Sequence, residues 1–168
     1  MDPVSPASPY AVLIGSVQPN SPAPYGPPSD LAELIELAHA GLDAFMKGDS
    51  AHMRKLFSRG DDVTLANPFG PPVRGRTEVV ETMERAASHY RDGAAFGFDR
   101  VSEYETDDLA YIVEVERYRS KIGGTNDVTS FALRVTTIFR REDDGWKIIH
   151  RHADPITSTR QAESILEH

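Results

Sequence analysis

The feature that most constrains this chain is a change of hydrophobic period near residue 95. Before it, apolar residues recur at helical spacing; after it, they alternate. Leu31, Leu34, Ile35, Ala38, Leu42, Phe45 and Met46 trace one face of a helix. Asp30, with Glu33 three positions on, supplies a capping pattern at its start, and Gly48 supplies a stop. Asp49 can cap a short second helix carrying Met53, Leu56 and Phe57. VTLAN (Val63–Asn67) reads as a strand leading into the turn-rich PFGPPVRG. A third helix is expected from about Thr77 to Tyr90, with Val79, Val80, Met83, Ala87 and Tyr90 on one face.

From residue 95 onward, AFGFDRVSEYE, LAYIVEVERYR, TSFALRVTTIFRR and GWKIIHRHAD read as four strands. The turns between them fall at Thr106–Asp108, Lys121–Asp127 and Glu142–Gly145, short enough to make the neighbours antiparallel. Helices first and a meander afterwards predict an α+β fold, with the helices on one face of a curled sheet.

Eight of the twelve prolines lie within residues 1–29, a segment with no lysine or arginine. Proline at that density rules out an ordinary helix, so an extended arm is expected there. Within it, Val12, Leu13 and Ile14 could dock on the domain or on a second subunit. The domain itself is expected over residues 30–156, followed by a tail over 157–168. The apolar run Ala11–Val17 is short and lacks the preceding positive charge of a secretory signal. No run reaches membrane-spanning length, so a cytoplasmic protein is expected. A net charge of −8 argues against non-specific nucleic-acid binding, and the absence of cysteine excludes thiol catalysis and thiolate metal sites.

The order of elements, with FMKGDSAHMRKLFSRGDDVTLANPFGPPVRGR and DGWKIIHRHAD, resembles the SnoaL-like branch of the nuclear transport factor 2-like superfamily. That group includes ketosteroid isomerase, scytalone dehydratase and polyketide cyclases. The last strand is also similar to that of the calcium/calmodulin-dependent kinase association domain, which ends in Trp-x-x-x-His-x-His. The resemblance covers residues 30–155. It implies a cone-shaped, cystatin-like α+β barrel with a pocket at its open end, usually in a dimer.

In the isomerase, an aspartate just before the proline of the matching stretch is the general base. Here that position is Asn67, and an amide cannot take up a proton near neutral pH. The resemblance puts the isomerase's helix-1 tyrosine near Gly41 and its protonated aspartate near Thr136. Steroid isomerisation is therefore not expected. Asn67 can hydrogen-bond a ligand, with Phe69 beside it, or simply cap the turn before Pro68.

On the second and third strands of the meander, Tyr111, Val113 and Val115 oppose Glu114 and Glu116, and Leu133, Val135, Thr137 and Phe139 oppose Arg134, Thr136 and Ile138. Similarity to the kinase association domain, whose pocket is lined with arginines, implies that Glu114 and Thr136 face inward. Glu114, Glu116 and Arg134 would then form a charged cluster inside the cone, where burial demands a partner or a ligand. The other reading is a solvated face with ordinary surface pairs.

His150, His152 and Asp154 occupy alternate positions of WKIIHRHAD and share one face. The row could ligate a metal, but two histidines without a clear third ligand are a weak pattern, and no metal is expected. It could do acid–base work at the pocket mouth, as the dehydratase relatives imply. It could also be a packed or dimer-facing stripe.

Two functions follow. The first is a cofactor-independent dehydratase, cyclase or isomerase acting on a small hydrophobic or polyketide-like metabolite. Its catalytic candidates are His152, His150, Glu114 and Arg134, with Asn67, Phe69, Glu116, Thr136 and Asp154 binding substrate. The second is a non-catalytic ligand-binding or dimerisation module. Either is expected to be a homodimer that takes a small-molecule ligand and contacts neither nucleic acid nor membrane.

Overall fold

The structure is a computed structural model and describes residues 30–166. The proline-rich arm and His168 lie outside the described residues. Helix α1 spans Leu31–Phe45, starting where the Asp30 carboxylate accepts the Ala32 N–H at 2.9 Å. It buries Leu31, Leu34, Ala38, Gly41 and Leu42, one stripe of the expected helical spacing. Gly48 follows at φ +93°, a left-handed conformation that glycine adopts without strain. Helix α2, Ala51–Leu56, begins beside Asp49, whose carboxylate accepts the Ala51 N–H at 2.7 Å. A methyl group on Gly41 would sit 3.0 Å from the Met53 sulfur, so glycine there lets α1 and α2 pack closely.

Strands β1 (Thr64–Ala66) and β2 (Val73–Arg74) pair antiparallel across the proline-rich turn. By sequence all of PFGPPVRG is expected as turn, because a two-residue strand has no period to detect. Helix α3 covers Arg76–Ala87 and buries Val79, Met83, Ala86 and Ala87. It stops short of Tyr90, which was expected on its face and instead opens strand β3 (Tyr90–Glu105). Strands β4 (Leu109–Ile122), β5 (Thr129–Glu142) and β6 (Gly145–Asp154) complete the meander.

The six strands form one mixed sheet in the order β2-β1-β6-β5-β4-β3. Only β1 and β6 run parallel, with Leu65 opposite Arg151. Three register irregularities along β3 and one on β6 bend the long strands, and such bulges increase local twist. The sheet therefore curls around the helices. Gly93 makes the closest approach: its N–H bonds the Met46 carbonyl at 3.1 Å, and a side chain there would lie 2.6 Å from that oxygen. Trp146, Tyr118, Phe57 and Phe139 are fully buried between the layers. Burying each such side chain stabilises by roughly 1.5–3 kcal/mol. After Asp154 the chain makes one 3₁₀ turn, Ala162–Ile165, that buries nothing.

Candidate functional site

Strict alternation along β4 turns Ile112, Glu114, Glu116 and Tyr118 to the inner side of the sheet. Glu114 is 2% exposed and Glu116 1%. Two charges at that depth must be paired, because an unpaired buried carboxylate is strongly destabilising. Glu116 meets Arg151 on β6 through two parallel contacts, Nη1 reaching Oε1 at 2.9 Å. The Tyr118 hydroxyl donates to the same carboxylate, and Thr137 lies 3.4 Å from Arg151 Nη1. Glu114 accepts from Arg100 at 3.0 Å and from His39 Nε2 at 3.2 Å, while the His39 ring stacks on Phe98 at 3.7 Å.

The pKa directions follow from these neighbours. Burial and the adjacent Glu116 charge push the Tyr118 phenol well above its ordinary value, so it stays a neutral donor. Burial alone would lower the Arg151 pKa, but the Glu116 carboxylate beside it outweighs that and raises it. Burial pushes Glu114 up, and the hydrogen bonds and charges of His39 and Arg100 bring it below the usual carboxylate value.

An apolar cavity of about 60 Å³ opens beside this cluster, between the three helices and the inner face of the sheet. Leu42, Phe45, Met83 and Leu133 line its walls, with Asn67, Tyr90, Tyr118 and Arg151 as its polar members. By volume it holds a few water-sized groups. Phe69, half exposed and tilted against His89 and Tyr90, lies at its rim. Behind Arg151 is a second space of about 10 Å³, enclosed by His39, Glu114, Glu116 and Thr137 among others.

The expected site residues divide by face. Glu114, Glu116, Asn67 and Phe69 lie on or near the interior. The other five lie outside it. Arg134 does not join the glutamates: its side chain is 53% exposed and bonds Asp154 at 2.8 Å. Thr136, expected inward, sits on the same outer face, opposite His152. His150, half-buried, bonds Thr64 at 2.7 Å, and His152 is 52% exposed on its side chain. On β5 plain alternation is the cause, since Leu133, Val135, Thr137 and Phe139 take the inner face and leave Arg134 and Thr136 outside. On β6 the cause is one residue. Ile138 pairs with His150 but Phe139 pairs with Ile148, so Ile149 is an extra residue that shifts the phase of the strand. Trp146 and Ile148 face in before the bulge, and Arg151 and Ala153 face in after it.

Three side chains missed by the sequence reading thus complete the interior: Arg151, Tyr118 and His39. The available signal was Glu116 itself, since a buried carboxylate needs a cation; alternation alone puts Arg151 beside Lys147 on the other face of the strand, so the sequence did not point to that cation. Among the described residues, no three or more His, Cys, Asp or Glu side chains come together as a metal site. No helix there is long and apolar enough to cross a membrane.

A curled mixed sheet enclosing a cavity with three helices defines a nuclear transport factor 2-like α+β protein. The chain belongs to the SnoaL-like domain family, whose profile matches residues 35–157. It is similar in fold to a protein named a putative dehydratase of that superfamily from Streptomyces avermitilis, at 22% identity and a TM-score of 0.63, covering 76% of this chain and 94% of that one. A putative calcium/calmodulin-dependent protein kinase type II association domain from Thiobacillus denitrificans matches at 24% identity and a TM-score of 0.58, over 74% and 94% of the two chains. A nuclear transport factor 2-like protein from Salmonella enterica matches at 15% identity and a TM-score of 0.66, over 78% and 92%. At these identities the likeness is one of fold. No curated protein matches the chain.

Proposed function

We propose that the chain binds a small, mainly apolar molecule in the cavity between the helices and the inner sheet face. The observation that carries this reading is the cavity itself: apolar walls, a rim at Asn67–Phe69, and an inner end on the Tyr118–Arg151–Glu116 cluster. Binding is read best by chemical-shift changes of the lining Leu42 and Leu133 methyls during titration with small apolar compounds. Ala86→Leu, which fills the cavity from α3, should abolish those changes while leaving the spectrum of a folded protein. Unchanged titration in the filled variant would sink the reading.

Cofactor-independent dehydratase, cyclase or isomerase chemistry is the second reading. It is supported by a buried carboxylate, Glu116, held beside the cavity by Tyr118 and Arg151, and by the name of the Streptomyces relative. The binding reading is preferred because the Tyr118 proton is already committed to Glu116 and the outer histidines lie away from the cavity. Turnover of a cavity ligand that disappears in Glu116→Gln would reverse that preference.

The same proposal includes a homodimer through the outer sheet face, where Tyr104, Leu109, Tyr111, Thr136 and Ile138 form an apolar hollow. Light scattering of Ile138→Glu should then give half the mass of the unsubstituted protein.

A further inference from the structure

Strand β3 forms one edge of the sheet, and its two halves are finished differently. In the first half, α1 and its C-cap occupy the open side. There the Gly93 N–H bonds the Met46 carbonyl at 3.1 Å, and the Ala95 N–H bonds the Asp43 carboxylate at 3.1 Å. Beyond Ala95, β4 is the only backbone partner of β3 among the described residues. Residues 99–105 are all exposed. The three most exposed large apolar side chains of the sheet, Val101, Tyr104 and Phe96, also lie on β3 beyond Ala95. An open strand edge carrying exposed apolar side chains is a template for another strand.

The edge is guarded against indiscriminate pairing. Asp99, Arg100, Glu103 and Glu105 put charge along it, and the register irregularity between Arg100 and Ser102 twists it. Such guards act against strands that must be captured from solution. They weigh less against a strand tethered beside the edge, which meets it at an effective concentration on the order of millimolar.

The chain carries such a strand. Residues 11–17, AVLIGSV, are uncharged and are the one apolar run within 1–29. They lie outside the described residues, which start at Asp30. Asp30 lines a groove with Arg100, Glu103, Tyr104 and Glu105, so the chain leaves the domain beside the open half of β3. The twelve residues between, 18–29, include five prolines and reach about 37 Å when extended at about 3.1 Å per residue. Residues 99–105 span only about 23 Å of strand. The tether is therefore long enough to lay 11–17 back along the edge. Having no charge, that run adds no repulsion to Asp99, Glu103 or Glu105.

We propose that residues 11–17 add to β3 of their own chain as a further strand, pairing with 99–105 and covering that edge.

Hydrogen exchange of the β3 amides, followed by NMR on the full chain, tests it. The open-side N–H groups of 99–105 are expected to exchange at least about tenfold slower than in a variant carrying Val12→Pro and Leu13→Pro. Proline cannot donate to a ladder, and two adjacent prolines remove a donor facing β3 in either register. Both substitutions lie outside the core, so the variant keeps the domain fold. The protection should not depend on protein concentration. Open-side amides that exchange as fast as in an unstructured chain, or equal protection in the double-proline variant, overturn the proposal. Protection that fades on dilution also overturns it, in favour of an arm supplied by a second copy.

Discussion

On the inner face of β6, Arg151 is buried and locked to Glu116. On the outer face, Asp154 of the same strand holds Arg134 of β5, an arginine whose side chain is 53% exposed. Both are arginine–carboxylate pairs between strands of one sheet, the outer one joining neighbours β5 and β6 and the inner one reaching from β6 across β5 to β4, and both have short contacts. Their energetics differ because of water. The outer pair forms in high dielectric and can be replaced by solvation at little cost. The inner pair cannot, so losing one partner strands the other in a dry interior. Residue type and contact distance do not separate the two; burial does.

The sharpest way to break that comparison is to remove the arginine from each face. Arg151→Ala should cost about 3–5 kcal/mol, because Glu116 remains buried without its cation. Urea unfolding measures this, and a loss under 1 kcal/mol would mean that water reaches Glu116. Removing only a donor should cost less. Tyr118→Phe deletes one hydrogen bond to the Glu116 carboxylate and is expected to lose roughly 1.5–3 kcal/mol by the same assay.

A pH series sharpens the comparison on the outer face. Burial, then the nearby His152, hold His150 below its ordinary value of 6.5. The unfolded chain therefore binds this proton at higher pH than the folded one, and stability falls as pH drops below about 6.5. His150→Gln should flatten that slope. An identical slope in the variant would place its origin elsewhere. The smallest effect belongs to Arg134→Ala, expected to change stability by about 0–1 kcal/mol. A loss matching that of Arg151→Ala would erase the distinction between the faces.

Much of the fold was legible along the chain. Asp30 caps α1; Asp49 lies one residue before the α2 cap, Ser50, and its carboxylate accepts the Ala51 N–H; and the turns between the long strands fall close to where glycine and aspartate mark them. Those signals are local: a cap or a turn depends on a few neighbouring residues. The interior of the site was only partly legible. Glu114 and Glu116 could be placed on one face of β4 from alternation, but the partners that neutralise them come from α1, β3 and β6. His39 looks like any helix histidine until the helix is packed against β3 and β4.

The row His150, His152 and Asp154 shows the limit most clearly. The sequence determined that these three share a face, because a strand repeats every two residues. It did not determine which face. Trp146 and Ile148 point inward, and unbroken alternation would have carried both histidines into the cavity. The extra residue at Ile149 reverses the phase, so Arg151 enters instead. That bulge is a property of how β6 pairs with β5 on one side, with β1 running parallel on the other. The sequence alone set the elements, their order and their alternation. Only the tertiary pairing chose the residue that closes the cavity, because a one-residue shift in register exchanges the two faces of a strand.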